Sequence, residues 1–272
     1  MIKIKNTCTI LELDKFPDGT LHITNMPIIP DMDNTVVFEW NYENDAELFA
    51  LICGRRHYGD MDAVLYLPYV PHARMDRVKA ETDVFTLKYF CEIINSLNFK
   101  QVIVVDPHSN VTPALLDRVI VYDNKKEVEV AIRESDAEVL FFPDEGAMKR
   151  YAGDHKLPYA FGIKKRNWET GKIEGLNIMN EEAIKGKRIL IIDDICSRGG
   201  TFYHSANTLH KAGAANIELF VTHLEETVLE GEMWLGIEQG ISPVKRIHTA
   251  NPLFDLEKYK NTINNKIVQV KI

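Results

Sequence analysis

The sequence contains few cysteines and no C-x-x-C pair. Cys8, Cys53, Cys91 and Cys196 are scattered through 272 residues, so we expect neither a zinc site nor a disulfide framework. Reduced thiols are the usual state in the cytoplasm, and the protein is therefore predicted to be cytoplasmic.

Long apolar runs and an excess of basic charge are also absent. No apolar run approaches the roughly 20 residues of a membrane-spanning helix, and the N-terminal segment MIKIKNTCTILELDKF lacks the pattern of a secretory signal. Lys and Arg total 32 against 40 Asp and Glu, for a formal net charge of -8. Broad nucleic-acid binding needs a basic field. We therefore expect neither a membrane nor a nucleic-acid partner.

What the sequence does contain is an alternation of apolar strand-like runs with helix-like segments. AVLYLP, QVIVVD, RILIIDD and NIELFVTH read as strands, and TLKYFCEIINSL and FYHSANTLHKAG read as helices. This alternation predicts an α/β fold of mostly parallel sheets with helices on both faces. A break near residues 123–135 suggests two domains, residues 1–128 and 129–272.

The strongest motif is ILIIDDICSRGGTF, in which an apolar strand ends in Asp193 and Asp194. Carboxylates at that position can accept hydrogen bonds from ribose hydroxyls. Gly199 and Gly200 allow close approach of backbone N–H groups, and the following helix N-terminus with Thr201 favours an anion. The motif therefore predicts a phosphorylated-sugar site, although a capped strand–turn–helix with a solvated acidic pair has the same pattern.

This segment resembles the phosphoribosyl-diphosphate-binding motif of type I phosphoribosyltransferases and of ribose-phosphate diphosphokinases. Further segments resemble the diphosphokinases, in that family's order: KFPDGT, PYVPHARMDR, VVDPHS, FFPDEGAMKR and IKKR. The resemblance implies two phosphoribosyltransferase-like domains. It also implies an enzyme that transfers the β,γ-diphosphate of ATP to the anomeric 1-hydroxyl of a 5-phosphorylated ribose and releases AMP.

The resemblance implies a role for each matching residue. The ATP-binding residues would be Phe16, Asp18, Arg74, Asp76 and His108. The substrate-binding residues would be Asp193, Asp194, Cys196, Ser197, Arg198, Gly199, Gly200 and Thr201. His108 and Asp144 would hold Mg²⁺ on the triphosphate, and Lys164 and Arg166 would act as catalytic cations over the transferred group. Such roles suit diphosphoryl transfer, which depends on positioning and charge neutralisation rather than covalent help.

Several of these residues have a structural alternative. His108 also fits a hydrogen-bonded loop residue, and Asp144 fits a helix N-cap. Phe16 alone would read as core packing, and residues 164–166 as a run of surface charge. Cys196 beside the acidic pair invites a nucleophile interpretation, but small loop residues explain it as well.

The chain departs from the family pattern in the loop that should hold the 5-phosphate. Ser197 and Arg198 stand where the family usually has Asp-Thr. Arg binds phosphates bidentately and adds charge, so Arg198 slightly favours ADP-ribose as the acceptor, giving ADP-ribose 1-diphosphate. Ribose 5-phosphate, giving phosphoribosyl diphosphate, is the other expected acceptor. Thr20 replaces a glutamate and Met75 a glutamine, which reduces the polar contacts expected for ATP.

Two other functions fit parts of the pattern. A phosphoribosyltransferase needs only the acidic pair and the glycine loop, and a regulatory relative could retain the fold without the chemistry. The upstream segments argue against the first, and the intact Lys164, Arg166, His108 and Asp144 against the second. The resemblance also implies a homo-oligomer, a dimer or hexamer, in which the FPDG and ARMDR segments complete a neighbouring ATP site. Its pathway would be nucleotide biosynthesis or NAD metabolism.

Overall fold

The chain divides into two compact units in a computed structural model that describes residues 1–30, 34–166 and 173–271. The units are Met1–Asp123 and Asn124–Ile272. The domain boundary predicted from the sequence, between residues 128 and 129, lies further along the chain than the boundary between these units. It falls inside the helix Lys125–Ser135, which begins the second unit.

The first unit is built around a mixed sheet with the strand order β2-β1-β5-β6-β7-β8. The strands of this unit are β1 (Ile2–Ile4), β2 (Thr9–Ile10), β3 (Glu12–Lys15), β4 (Leu21–Thr24), β5 (Thr35–Trp40), β6 (Asp62–Leu67), β7 (Gln101–Val105) and β8 (Val119–Tyr122). Its helices are α1 (Ala46–His57), α2 (Thr86–Ser96) and α3 (Val111–Leu115). Strands β5 to β8 run parallel, whereas β1 pairs antiparallel with β5 and β3 and β4 form a separate hairpin.

Side-chain periodicity explains why these segments pack as they do. In β5 every second residue is buried, namely Val36, Phe38 and Trp40, which is the two-residue period of a strand with one face on the core. In α2 the buried residues are Leu87, Phe90, Cys91 and Ile94. That spacing is the apolar stripe of a helix lying on a sheet.

The second unit is built around a longer sheet with the strand order β11-β10-β9-β12-β13-β14-β15. Its strands are β9 (Val139–Phe142), β10 (Tyr159–Arg166), β11 (Ile173–Met179), β12 (Arg188–Cys196), β13 (Asn216–Leu224), β14 (Val244–Pro252) and β15 (Ile267–Gln269). Its helices are α4 (Lys125–Ser135), α5 (Glu145–Tyr151), α6 (Gly200–Lys211), α7 (Glu232–Glu238) and α8 (Lys260–Ile263). Neighbouring strands are parallel except for β10 and β11, which form an antiparallel hairpin.

The predicted α/β fold class is confirmed. Strands β1, β8, β11 and β15 were not predicted, and the last three of these lie at the edge of a sheet. In β8, residues 120–122 are exposed, although the sequence VIVY is apolar throughout. Within the described ranges, we find no helix with the length and apolar character needed to cross a membrane.

Buried polar side chains on β13 and β14 connect the sheet of the second unit to α4. The Nε2 atom of His248, which is fully buried, lies 2.7 Å from Glu218 Oε2, and its Nδ1 atom lies 3.3 Å from Glu134 Oε2. Burial alone would raise the pKa of Glu218, but the hydrogen bond and charge of His248 outweigh it, so the pKa lies below its usual 4.5. The ionised form of Glu218 therefore stabilises the folded state.

We expect Glu218→Gln to lower the free energy of unfolding by about 1 kcal/mol at pH 7, because charged hydrogen bonds contribute more than neutral ones. A carboxyl group with a lowered folded-state pKa contributes stability above its unfolded pKa and loses it as the pH falls through the folded value. The difference from wild type should therefore shrink below pH 4.5. Urea unfolding at several pH values measures this, with Glu182→Gln at an exposed position as control. A difference independent of pH would contradict it.

Candidate active site

The acidic pair lies at the carboxyl edge of the second sheet. Asp194 is 3% exposed and Asp193 is half-buried, both at the end of β12. The neighbouring strand β9 is parallel to β12, with Phe141 paired to Ile191, and Asp144 follows β9 directly. Carboxyl ends of parallel strands are where open α/β sheets bind ligands, and the structure brings these three carboxylates to that edge.

The carboxylates influence one another electrostatically. Burial raises the pKa of Asp193 well above its usual value, and the charges of Asp194 and Asp144 raise it further. The backbone N–H of Asp194 donates to Asp193 Oδ1 at 3.0 Å. A guanidinium nitrogen of Arg150, on α5, lies 3.7 Å from Asp194 Oδ1. Arg150 stands in the FFPDEGAMKR segment but has no role among those that the resemblance implies.

The loop after the acidic pair is shorter than the sequence suggested. Strand β12 continues through Cys196, and α6 begins at Gly200, which leaves residues 197–199 between them. Gly199 has a φ of +75°, in the left-handed region that glycine adopts without a steric penalty. This turn aims the N-terminal N–H groups of α6 and the exposed Thr201 at the carboxyl edge, an arrangement that favours a phosphate.

The segment before α7 packs directly behind this loop. A Cβ atom placed on Gly231 would lie 1.8 Å from the carbonyl oxygen of Arg198, and one placed on Gly199 would lie 2.7 Å from Met233 Cε. At Gly231 a side chain requires the backbone to move, whereas at Gly199 it would displace the Met233 side chain and would be strained by the positive φ. The role of Gly231 was missed because its cause is a contact between segments more than 30 residues apart.

Arg198 lies on the surface of the loop. Its guanidinium is 2.9 Å from Glu230 Oε2, and the two side chains are 71% and 61% exposed. The pair is accessible to a ligand, and an exposed ion pair of this kind contributes little to stability.

Cys196 occupies a packing position. Its side chain is fully buried in the apolar core of the second unit, and its thiol points to the Ser197 carbonyl oxygen at 3.4 Å. Burial raises the pKa of the thiol, which disfavours the thiolate that a nucleophile requires. The surroundings of Cys196 thus support its interpretation as a small structural residue rather than as a nucleophile.

Asp144 caps α5, as its structural alternative predicted. Its Oδ1 atom accepts a hydrogen bond from the backbone N–H of Ala147 at 3.1 Å. A carboxylate has two oxygens with several acceptor positions, so helix capping and cation binding are compatible at this residue.

In the first unit, Phe16 and Asp18 lie in the turn between β3 and β4. Phe16 is 50% exposed, with its ring 4.7 Å from that of His22, which does not fit core packing. Asp18 Oδ1 accepts hydrogen bonds from the hydroxyl and N–H of Thr20 at 2.7 and 3.0 Å, and these bonds lower the pKa of Asp18. The turn thus presents an aromatic ring and an anion together.

Asp76 connects two of the predicted ATP segments. It is 6% exposed, and Arg77 binds it through two nitrogens at 2.7 and 2.9 Å. The hydrogen bond from Arg77 lowers the pKa of Asp76 to about 2, and Ser109 and the neighbouring His108 contribute. Arg74 in the same segment is exposed. Asp76 therefore holds the 74–77 segment against the loop that carries His108.

Lys164 and Arg166 belong to the last part of β10, where they pair with Leu176 and Ile173 of β11. The side chains of Lys164 and Arg166 lie outside the described part of the structure, as do residues 167–172.

Of the two residues predicted to bind a metal, Asp144 has the oxygen-donor chemistry that magnesium prefers. Among the described residues, no three or more His, Cys, Asp or Glu side chains cluster as a metal site. Mg²⁺ is usually held by one or two carboxylates together with substrate phosphates and water. Asp144, beside the mutually repelling carboxylates of Asp193 and Asp194, matches that donor chemistry. His108 belongs to the other unit.

Comparison with known proteins shows similarity in sequence and in fold. Residues 146–232 match the phosphoribosyl transferase domain, and this range includes the acidic pair and the loop after it. A solved structure of phosphoribosylpyrophosphate synthetase from Mycobacterium smegmatis is similar over 96% of this chain and 85% of its own, with a TM-score of 0.70 and 18% identity. That similarity concerns the fold.

Sequence relatives extend the match over most of the chain. The ribose-phosphate pyrophosphokinase of Pyrococcus furiosus is 26% identical over 82% of this chain and 80% of its own length. That of Thermococcus kodakarensis is 25% identical over 91% of each, and that of Maricaulis maris is 31% identical over 58% of this chain and 52% of its own. The chain is thus similar to ribose-phosphate pyrophosphokinases over most of its length.

Proposed function

We propose that the protein transfers the β,γ-diphosphate of ATP to the 1-hydroxyl of a 5-phosphorylated ribose and releases AMP. The observation that carries this proposal is the arrangement at the end of β12. There, the acidic pair, the left-handed turn at Gly199 and the start of α6 meet at one sheet edge. A sugar hydroxyl pair and a phosphate are the two groups that this arrangement can bind together.

The acceptor would be held at both ends. Asp193 and Asp194 accept hydrogen bonds from the ribose hydroxyls, while the first N–H groups of α6 and the Thr201 hydroxyl donate to the 5-phosphate. Holding both ends orients the anomeric hydroxyl and removes rotational freedom before reaction, which can lower the barrier by several kcal/mol.

ATP would be bound by residues of the first unit. The exposed ring of Phe16 offers a surface for adenine, and Asp18 on the same turn can accept hydrogen bonds. Arg74 contributes positive charge, and Asp76 holds its segment beside His108. When bound, Mg²⁺ neutralises charge on the triphosphate, and His108 and Asp144 are the residues that we propose to hold it.

Lys164 and Arg166 would provide positive charge that stabilises the transferred diphosphate. They belong to the hairpin of β10 and β11 at the same sheet edge as Asp144, because β10 is parallel to β9. Cations placed where negative charge develops stabilise the transition state of phosphoryl transfer.

A specific observation favours ADP-ribose as the acceptor over ribose 5-phosphate. We call residues 197–199, which we propose to lie beside the 5-phosphate, the phosphate loop. Arg198 adds an exposed guanidinium to this loop, and Glu230 already orients it. Ribose 5-phosphate ends at the phosphate that the loop holds, whereas ADP-ribose continues with a second phosphate that a guanidinium can bind bidentately. The product would be ADP-ribose 1-diphosphate.

An assay for AMP formed from ATP and Mg²⁺ with each acceptor tests the proposal. We expect AMP with both acceptors and a higher kcat/KM with ADP-ribose. A clear preference for ribose 5-phosphate would remove the ADP-ribose hypothesis and leave the diphosphokinase. Release of diphosphate from phosphoribosyl diphosphate and a base, without AMP, would indicate a phosphoribosyltransferase, and no turnover a regulatory relative.

Arg198→Ala should separate the two acceptors. Because a charge-assisted hydrogen bond is worth about 1.5–3 kcal/mol, we expect kcat/KM for ADP-ribose to fall about 10- to 100-fold, with little change for ribose 5-phosphate. Arg188→Ala, at the opposite end of β12, controls for the loss of charge. Equal losses with both acceptors would contradict a role for Arg198 in recognising the second phosphate.

We also propose that the protein is a homo-oligomer in the cytoplasm. The resemblance implies that the turn with Phe16 and the segment with Arg74 would complete a neighbouring subunit's ATP site. Sedimentation at micromolar concentration distinguishes a dimer or hexamer from a monomer.

A further inference from the structure

We propose that Arg150 is a positioning residue that holds Asp194 in place to bind the ribose. This inference rests on the proposed function of the acidic pair. It concerns a residue outside the predicted ATP, acceptor and metal sets, on a helix that packs against the sheet rather than in the phosphate loop.

The charge balance at the sheet edge requires a cation. Asp193, Asp194 and Asp144 lie close enough together for their charges to interact, and Asp194 is 3% exposed. An ionised carboxylate in such a position is costly unless it is paired. Arg150 lies within ion-pair distance of Asp194, 3.7 Å from its Oδ1 atom.

The guanidinium itself is oriented by its surroundings. Its central carbon lies 5.2 Å from the centre of the Tyr151 ring, and Tyr151 is 3% exposed. An arginine placed over an aromatic ring gains a cation–π interaction and loses rotational freedom. Arg150 is 28% exposed at its side chain, so it is neither a freely solvated charge nor a core residue.

Helix α5 connects this contact to the other carboxylate of the site. Asp144 caps the N-terminus of α5 through Ala147, and Arg150 lies in the last turn of the same helix. One short helix therefore positions both Asp144 and the cation that faces Asp194. Residues that orient ligand-binding side chains in this way typically change affinity or activity about 10- to 100-fold when replaced.

The test compares Arg150→Met with Lys149→Met in AMP formation. Lys149 is the adjacent residue on α5 and pairs with Glu145 at 2.8 Å on the exposed surface, so both variants lose one positive charge from one helix. We expect Arg150→Met to raise the acceptor KM about 10- to 100-fold with the ATP KM within about twofold of wild type. Arg150→Lys should restore part of the acceptor affinity, and Lys149→Met should resemble wild type.

Active enzyme concentration, measured by circular dichroism and burst titration, separates positioning from folding. A loss of kcat in proportion to the folded fraction, with an unchanged acceptor KM, would overturn the inference. So would equal effects on both substrates, or equal effects of the two methionine variants.

If the wild-type protein forms no AMP with either acceptor, the proposed function fails while Arg150 remains testable. Calorimetric titration with ribose 5-phosphate then tests the positioning role of Arg150. Weaker binding to Arg150→Met than to Lys149→Met supports the positioning role, and equal binding, or none to the wild type, overturns it.

Discussion

Replacing Lys164 with alanine should lower kcat for AMP formation about 100- to 1000-fold, which is the usual effect of removing one group that stabilises transition-state charge. The acceptor KM should change much less, because the ammonium acts on the diphosphate as it moves rather than on the bound sugar. Steady-state kinetics with saturating ATP and Mg²⁺ measures both parameters. This is the largest effect on chemistry that we expect from a single substitution.

Lys165→Ala provides the matched control, since it removes the same charge from the neighbouring position of β10. We expect kcat to change less than tenfold in Lys165→Ala, because this lysine would contribute only to the overall electrostatic field. If the two lysine variants lose activity equally, the run of charge at residues 164–166 acts as a surface field and Lys164 has no individual role. Arg166→Ala should behave like Lys164→Ala.

The second large effect is expected from Gly231→Ala. The added Cβ atom would lie 1.8 Å from the Arg198 carbonyl oxygen, a distance that forces the phosphate loop or the segment before α7 to move. Gly231 has φ of -86° and ψ of 152°, which alanine adopts readily, so the cost is steric. We expect a destabilisation of about 1–3 kcal/mol from overpacking and a loss of acceptor binding of about tenfold or more.

Thermal unfolding and the acceptor KM together measure this prediction. Gly153→Ala is the control, because a Cβ atom at that exposed position would have no neighbour within 4 Å. If Gly231→Ala has the same stability and the same acceptor KM as the wild type, the loop accommodates the methyl group. The proposed contact between Gly231 and the phosphate loop would then be irrelevant to binding.

Motifs in the sequence were sufficient for the order and type of most elements and for the acidic pair. The strand with Asp193 and Asp194, the glycine turn and the helix after it follow from local preferences, because an apolar run, Gly199 and a helix start are neighbours in the chain. The roles of Gly231 and Arg150 were not predictable in this way. Their partners, the Arg198 carbonyl oxygen and Asp194, are more than 30 residues away.

The burial of the side chain decided between the two interpretations of Cys196 and between those of Phe16. From sequence alone, Cys196 beside two aspartates could be read as reactive and Phe16 as a core residue. The fold places the thiol of Cys196 inside the core and half of the Phe16 side chain in solvent. A side chain's exposure depends on which elements pack over it, and no local pattern around either residue contains that information.

By itself, the sequence determined the α/β class and indicated the resemblance to ribose-phosphate diphosphokinases and the candidate residues for sugar, phosphate and nucleotide, since these depend on periodicity and on short segments whose parts are adjacent. Only the tertiary structure decided which groups meet: Asp144 with the acidic pair at one sheet edge, Arg150 against Asp194, and Gly231 against the phosphate loop. Such contacts join residues from different strands and helices, and they exist only once the parallel sheet has brought its carboxyl ends together.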